Sequence, residues 1–388
     1  MSPDSDKIKT SSSKVSLEGF DPQGKSEAEL LGELRDRIDS ADEKIGNLIS
    51  ERANCALEVA RVKKHFSDVS EPKFYRPERE AQVLRKAMER NKGPLADEEY
   101  ARLFREIMSA CLALESPVKV AYLGPEGTYT QQAALKHFGQ SAVAVPLPAI
   151  DQVFREVASG AAHYGVVPVE NSTEGVVTHT LDNFLDSSVK ICGEVVQRIH
   201  HHLLVSDVTN VKNITRIYSH AQSFAQCRKW LNLNFPKADR VALSSNSEAA
   251  KRVKGEWNSA AIAGEMAAEL YELTSHSQSI EDQPDNSTRF LIIGTGDVGA
   301  SGSDKTSIVL STRNKPGALH DLLEPFHRLG IDLTRVETRP SPTGIWNYVF
   351  FIDFLGHVSD SNVKDAMMEV SDRSSEIKVL GSYPIGVL

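Results

Sequence analysis

From Leu31 onward, apolar residues recur by alternating steps of three and four: Leu34, Ile38, Ala41, Ile45 and Leu48, then Arg52, Cys55, Val59, Val62 and Phe66. That period is helical, and Ser26 with Glu29 three residues later forms a capping box at its start. One helix of roughly 40 residues, about 60 Å long, is expected. Two shorter helices follow near 77–91, with Pro77 at the favoured first position, and near 97–115. Together these two are too short to cover the long one. The domain should therefore complete its core with a second copy of itself, which predicts a helical dimer.

From Val118 the pattern changes to short apolar runs separated by helical stretches: Val118–Leu123, Val143–Val145, Tyr164–Val169, Val189–Val196, Ile199–Val205, Arg216–Tyr218, Val241–Leu243, Ala260–Ala263 and Arg289–Ile293. Strands alternating with helices indicate parallel α/β sheets, here in two lobes. A Gly/Ser-rich stretch, 294–304, follows. After it Thr306–Ser311, a helix near 317–329, Ile331–Arg339, Trp346–Phe354, a helix near 361–372 and a last strand near 377–380 read βαββαβ. The fold class is thus multidomain: a disordered polar tail over 1–25, an all-α domain over 26–116, a two-lobed α/β domain over 117–296, a linker over 297–303 and an α+β module over 304–388.

Length and charge narrow the functions open to this chain. Its 388 residues carry 44 Lys and Arg against 53 Asp and Glu, a net charge of −9, with no basic concentration of the kind a phosphate backbone requires. Nucleic acid is not an expected partner. Of the 97 charged residues, 35 fall in residues 26–116, which sharpens the boundary near Pro117. The four cysteines, Cys55, Cys111, Cys192 and Cys227, lie too far apart for a CxxC site or a disulfide framework. No run of 18 apolar residues and no apolar leader is present, so neither a membrane nor secretion is expected, and a reduced cytoplasmic setting fits.

Arg52 stands where the helical stripe calls for an apolar residue, and an inward charge implies an ion pair or an anionic ligand. Lys63, eleven residues on, is turned by only about 20° and lies about 16 Å along the same face. Arg35 points about 100° away, toward a different partner. The segments LGELRDRIDSADEKIGNLISER, VARVKK, FYRPEREAQVLR and LFREIMSACLALE resemble the all-helical chorismate mutases. The resemblance implies that Arg35 from a partner subunit, Arg52 and Lys63 bind the substrate carboxylates and ether oxygen. Arg79 with Glu80 would orient the ring and its hydroxyl, and Glu115 would hydrogen-bond the ether oxygen, with Cys111 one turn before it. Many relatives have Gln where Glu115 stands, and Arg76 stands where an Asp is often found. The implied rearrangement of chorismate to prephenate is unimolecular, so holding one conformer and placing positive charge on the breaking C–O bond suffices. A carboxyl can donate to that oxygen only when protonated, so mutase activity is expected to decline as pH rises.

In the α/β region, GTGDVG over 294–299 follows a strand, yet the residues after it carry no helical period, so a dinucleotide is not expected there. His200, His201 and His202 alternate along an apparent strand and are read as structural. Loops at strand ends are more informative: GPEGTYT (124–130), PVENSTEG (168–175), SHAQSFAQC (219–227) and DNSTRF (285–290). These four resemble the prephenate dehydratases, with Thr288-Arg289-Phe290 the most distinctive signature. Together with the helical segments they are similar to the bifunctional chorismate mutase/prephenate dehydratase family. The resemblance implies that Thr288 protonates or hydrogen-bonds the departing ring hydroxyl, while Asn171, Ser172, Gln222 and Arg289 hold the substrate's polar groups beside Phe290. Thr128 and His220 are further candidates.

Residues 304–388 resemble an ACT domain. The resemblance implies an L-phenylalanine effector bound between paired modules, with Gly317-Ala318-Leu319-His320 at a helix start and Glu337-Thr338-Arg339-Pro340 at a strand end; Thr338 stands where relatives usually have Ser. The expectation is a cytoplasmic bifunctional enzyme of phenylalanine biosynthesis that needs neither cofactor nor metal, with chorismate, prephenate and L-phenylalanine as its small-molecule partners and a homodimer or tetramer as its assembly. Arogenate dehydration on the same scaffold, and an amino-acid-responsive binding protein with a helical dimerisation arm, are the alternatives.

Overall fold

The computed structural model describes residues 24–66, 75–312, 316–340 and 348–387; most of the polar tail read over 1–25, and Trp346, lie outside the described residues. The first helix, α1 (Glu27–Phe66), starts at the expected capping box, where the Ser26 amide donates to Glu29 Oε2 at 2.8 Å and the Glu29 amide to Ser26 Oγ at 3.4 Å. α2 (Pro77–Arg90) opens on its proline, and α3 (Asp97–Glu115) packs against both. The stripe of α1 stays largely uncovered: Ile38, Ile45, Leu48 and Val62 are all exposed, and Ala60 is the helix's one buried residue.

Next come β1 (Lys119–Leu123), α4 (Tyr129–Phe138), β2 (Val143–Leu147), α5 (Ile150–Ala158), β3 (Tyr164–Asn171), β4 (Gly175–Val176), α6 (Thr178–Asp186) and β5 (Lys190–Arg198). The chain then crosses to a second lobe built from β6 (His202–Val205), β7 (Arg216–His220), α7 (Ala221–Gln226), α8 (Arg228–Asn234), β8 (Asp239–Leu243), α9 (Asn246–Val253), β9 (Ser259–Ala263), α10 (Glu265–Tyr271) and β10 (Thr274–Ser277). It returns to the first lobe as β11 (Ser287–Gly294).

The strand orders are β2-β1-β3-β11-β5, with β4 on β3, and β10-β6-β9-β7-β8. Both sheets are mixed rather than parallel, which corrects the expectation from strand–helix alternation. β11 enters its sheet from the end opposite to β3 and β5 and pairs antiparallel with both. In the second lobe β6 likewise runs antiparallel to β9 and β10. The crossings between lobes reverse the chain's direction, and local periodicity carries no record of that.

The third sheet orders β12 (Asp304–Ser311), β13 (Leu333–Pro340), β14 (Tyr348–Leu355) and β15 (Glu376–Pro384) as β13-β14-β12-β15, with α11 (Ala318–Arg328) and α12 (Ser361–Arg373) on one face. That face buries Ile308, Leu310, Phe350, Ile352 and Phe354 against the helices. The opposite face buries Val309, Val349, Phe351 and Tyr383 in one cluster with Phe154, Phe184 and Leu291 of the first lobe. The C-terminal sheet therefore shares a core with the α/β domain.

The Gly/Ser-rich stretch is held at both sides. Arg85 of α2 donates to Ser301 O at 3.2 Å and Ser303 O at 2.9 Å, and His357 Nε2 lies 3.0 Å from Val298 O. No helix starts within 294–304, so the second half of the dinucleotide fingerprint is missing.

Candidate active sites

In the helical domain, Arg52 and Lys63 of α1 approach Glu115 at the end of α3. Burial pushes the Glu115 carboxyl above its ordinary pKa, and the charges of Lys63 and then Arg52 pull against that shift. Its Oε2 is buried without a hydrogen-bond partner among the described residues. Lys63 and Glu115 face a cavity of about 1050 Å³ between the helices and the first lobe, which Tyr75, Glu78, His163 and Thr295 also line. A half-buried carboxyl beside two cations suits an anionic ligand with an ether oxygen. Cys111 is buried on α3, one turn before Glu115.

Three other mutase candidates are not joined to that group. Arg35 and Arg79 are exposed on α1 and α2. Glu80, expected to orient the substrate ring, turns toward the first lobe instead and lies 3.3 Å from Arg105 Nε. Burial raises its pKa to about 7 against the opposing effects of Arg105 and a hydrogen bond from Tyr75. Arg105 also donates to Lys136 O at 2.9 Å, and Tyr75 OH lies 3.0 Å from His137 Nε2. Arg79 and Glu80 are neighbours on one helix turn, so about 100° separates their directions, and here Arg79 faces solvent while Glu80 meets Arg105.

In the α/β domain, the two Asn-Ser-Thr segments lie side by side. Thr288 pairs with Asn171 in the register of β11 and β3. Asn171 Nδ2 donates to Thr288 Oγ1 and to Asn286 Oδ1, both at 2.9 Å. Its Oδ1 accepts from the Thr173 amide at 3.0 Å, the Thr173 hydroxyl at 2.6 Å and the Glu174 amide at 3.1 Å, which fixes the orientation of the amide. Ser172 Oγ accepts from the Ser287 amide at 2.9 Å.

The network continues across the lobes. Asn286 Nδ2 donates to Gln226 Oε1 at 3.0 Å, and Gln226 Nε2 donates to Thr173 Oγ1 at 3.0 Å. His201 Nε2 lies 2.8 Å from Gln226 Oε1 and its Nδ1 3.0 Å from Tyr129 OH. Burial pushes the His201 pKa down and the Tyr129 pKa up, which keeps both neutral. Sequence reasoning gave no role to Asn286, Gln226 or Tyr129, although all three lie within the quoted loops. His201 is buried as expected of a structural residue, but it belongs to this chain of contacts.

Thr128 and His220 act as helix caps. Thr128 Oγ1 accepts from the Gln131 amide at 3.4 Å, and His220 Nδ1 from the Gln222 amide at 3.4 Å. Gln222 is half-buried on α7. Phe290 is buried in the core of the first lobe. Arg289 departs furthest from expectation: its Nε lies 2.8 Å from Glu194 and its Nη1 2.6 Å from Asp353 of the C-terminal sheet. It faces away from Thr288 because successive strand residues point to opposite faces.

In the C-terminal module, Gly317, Ala318, Leu319 and His320 line a cavity of about 250 Å³ with Thr312, Tyr348 and Phe350. Gly317 precedes α11 at φ 82°, a left-handed conformation that favours glycine. Glu337 to Pro340 lie on the edge strand β13 and are not among that cavity's lining. There Arg339 Nη2 donates to Asp182 of α6 at 2.9 Å. Among the described residues no group of three or more His, Cys, Asp and Glu could hold a metal, and no helix is long and apolar enough to cross a membrane.

The fold and these sites define an enzyme with two separate catalytic domains and a ligand-binding module. Comparison with known proteins gives the same division: the family model for chorismate mutase type II matches residues 34–116, that for prephenate dehydratase 120–298, and that for the ACT domain 306–372. A bifunctional chorismate mutase/prephenate dehydratase of Pseudomonas aeruginosa is 65% identical over 364 residues, covering 94% of this chain and 100% of the relative. One from Neisseria gonorrhoeae is 48% identical over 93% of this chain and 98% of its own. Among solved structures, a prephenate dehydratase from Arthrobacter aurescens in complex with L-Phe has a TM-score of 0.64 at 33% identity, covering 69% of this chain and 90% of its own. The chain belongs to the bifunctional chorismate mutase/prephenate dehydratase family. It is a multifunctional enzyme, a chorismate mutase and a prephenate dehydratase with an ACT domain.

Proposed function

We propose that the chain converts chorismate to prephenate at the Arg52–Lys63–Glu115 group and prephenate to phenylpyruvate at the Thr288–Asn171 pair. The observation that carries the second assignment is the direction of one hydrogen bond. Asn171 donates to Thr288 Oγ1, so the threonine's own proton is available to another acceptor. Prephenate loses CO₂ while its ring hydroxyl leaves, and the Thr288 O–H hydrogen-bonds that departing oxygen. Aromatisation supplies the driving force, so a modest donor in a site screened from water is sufficient.

At the mutase site the cations hold the substrate carboxylates, and protonated Glu115 donates to the ether oxygen as the C–O bond breaks. The exposed α1 stripe supports a homodimer in which Arg35 of one subunit completes the other's site. The cavity at Gly317–His320 supports binding of L-phenylalanine as a feedback inhibitor, consistent with the L-Phe held by the solved prephenate dehydratase. A cytoplasmic setting fits the four free cysteines.

Thr288→Val tests the assignment of separate sites. Phenylpyruvate formation should vanish while chorismate consumption continues at the wild-type rate. Equal loss of both activities in a folded variant would contradict it.

A further inference from the structure

β11 presents two successive residues to two different domains. Thr288 meets Asn171 on one side, and Arg289, in register with Glu170, faces the ACT sheet on the other. Arg289 bonds there with Glu194 at 2.8 Å, Asp353 at 2.6 Å and the Tyr383 hydroxyl at 3.0 Å. Only 14% of its side chain is exposed, and 7% of that of Asp353. Burial works against the Arg289 charge, and Tyr383, Asp353 and Glu194 more than offset it, so the guanidinium stays ionised. Glu170 is gripped in parallel, with Arg335 Nε of β13 at 3.2 Å. Each half of the Thr288–Asn171 pair thus has a chain neighbour ion-paired to the ACT domain. β14 carries Asp353 on the face toward β11 and Phe350, which lines the Gly317–His320 cavity, on the other.

We propose that Asp353 and Arg335 of the ACT domain are positioning residues for the dehydratase reaction. They act through Arg289 and Glu170 to set the Thr288–Asn171 geometry, and β14 couples them to the occupancy of the effector cavity. Arg289 is then itself a positioning residue rather than a substrate ligand. This rests on the reading of Thr288 and Asn171 as the substrate-facing pair.

The test uses the full chain with Asp353→Asn, Arg335→Gln, Arg289→Met, Arg289→Lys and Thr288→Val. Asp353→Asn and Arg335→Gln should each lower dehydratase kcat by about tenfold or more, since a small misplacement of a reacting group is costly. KM for prephenate should stay nearly constant, mutase turnover should be unchanged, and the phenylalanine concentration giving half inhibition should shift. Arg289→Lys should restore part of the kcat that Arg289→Met loses, again at constant KM. Should Asp353→Asn fail to fold, Arg335→Gln carries the same readout, because its partner Glu170 is 41% exposed and water can solvate the carboxylate left behind. Wild-type kcat in both ACT variants, or an Arg289→Lys effect confined to KM, overturns the proposal while an inactive Thr288→Val leaves the site reading intact. A dehydratase-active Thr288→Val overturns both.

Discussion

At the scale of single residues, two carboxyl groups, Glu115 and Glu80, carry the response to pH. Glu115 serves as a donor only when protonated, and its burial keeps the proton on to a higher pH than an exposed glutamate would. Mutase kcat should therefore fall as pH rises through the Glu115 pKa, and Glu115→Gln, a donor at every pH, should flatten the profile; a stopped-flow pH–rate series from pH 5 to 9 checks this. Glu80 gives a stability prediction of the same sign. Its folded-state pKa of about 7 stands above the ordinary 4.5, so the folded chain binds the extra proton. The stability this contributes is fully present below about 4.5 and is lost as pH rises through about 7. Melting curves across that range should show the decline for the wild type and its absence in Glu80→Gln. The charged character of both residues was legible in the sequence, and so was the convergence of Arg52 with Lys63. The direction of Glu80 was not, because its partner Arg105 lies on another helix, and helix periodicity says nothing of which neighbour a polar face meets.

At the scale of elements, the long first helix was legible from start to end: the capping box, the three-and-four stepping and the excess of length over its two partners were all readable. Its exposed stripe leads to a prediction about assembly. Leu48, 64% exposed on α1, should lie in the proposed dimer seam, so Leu48→Lys should yield monomers in analytical ultracentrifugation. Mutase activity should disappear with the dimer because Arg35 no longer reaches the partner's site, while dehydratase activity persists. The strands were legible too, but their directions were not. β11 and β6 reverse relative to neighbours because the chain changes lobes between them, and only the tertiary path records that. β4 and β10 escaped notice because two residues, and a polar Thr-Ser-His-Ser run, carry no apolar alternation.

At the scale of the whole molecule, the domain list read from composition conceals how the domains are joined. Val309, Val349, Phe351, Leu380 and Tyr383 of the ACT sheet are buried with Phe154, Phe184 and Ile191 of the dehydratase. β12 and β14 bury near-continuous runs on both faces, and nothing in their local sequence says what the second face covers. Truncation after residue 303 should therefore expose dehydratase core. The shortened chain should lose soluble yield and dehydratase activity together, rather than become a freely active, uninhibited enzyme; expression and phenylpyruvate assay check this. Leu380→Ala should cost about 2–5 kcal/mol in denaturant unfolding, the range for a buried leucine. The Gly/Ser-rich stretch belongs to the same lesson, since Arg85 binds it to α2 and the composition of a linker does not make it free.

The alternation at Thr288 and Arg289 places chemistry and control on consecutive residues of one strand. Inserting a single residue immediately before Thr288 would exchange the two faces, sending the guanidinium to the Asn171 side and the hydroxyl into the ion-paired interface. Catalysis and feedback would fail together. A one-residue slip of this strand therefore cannot remove the response to the end product and keep the turnover.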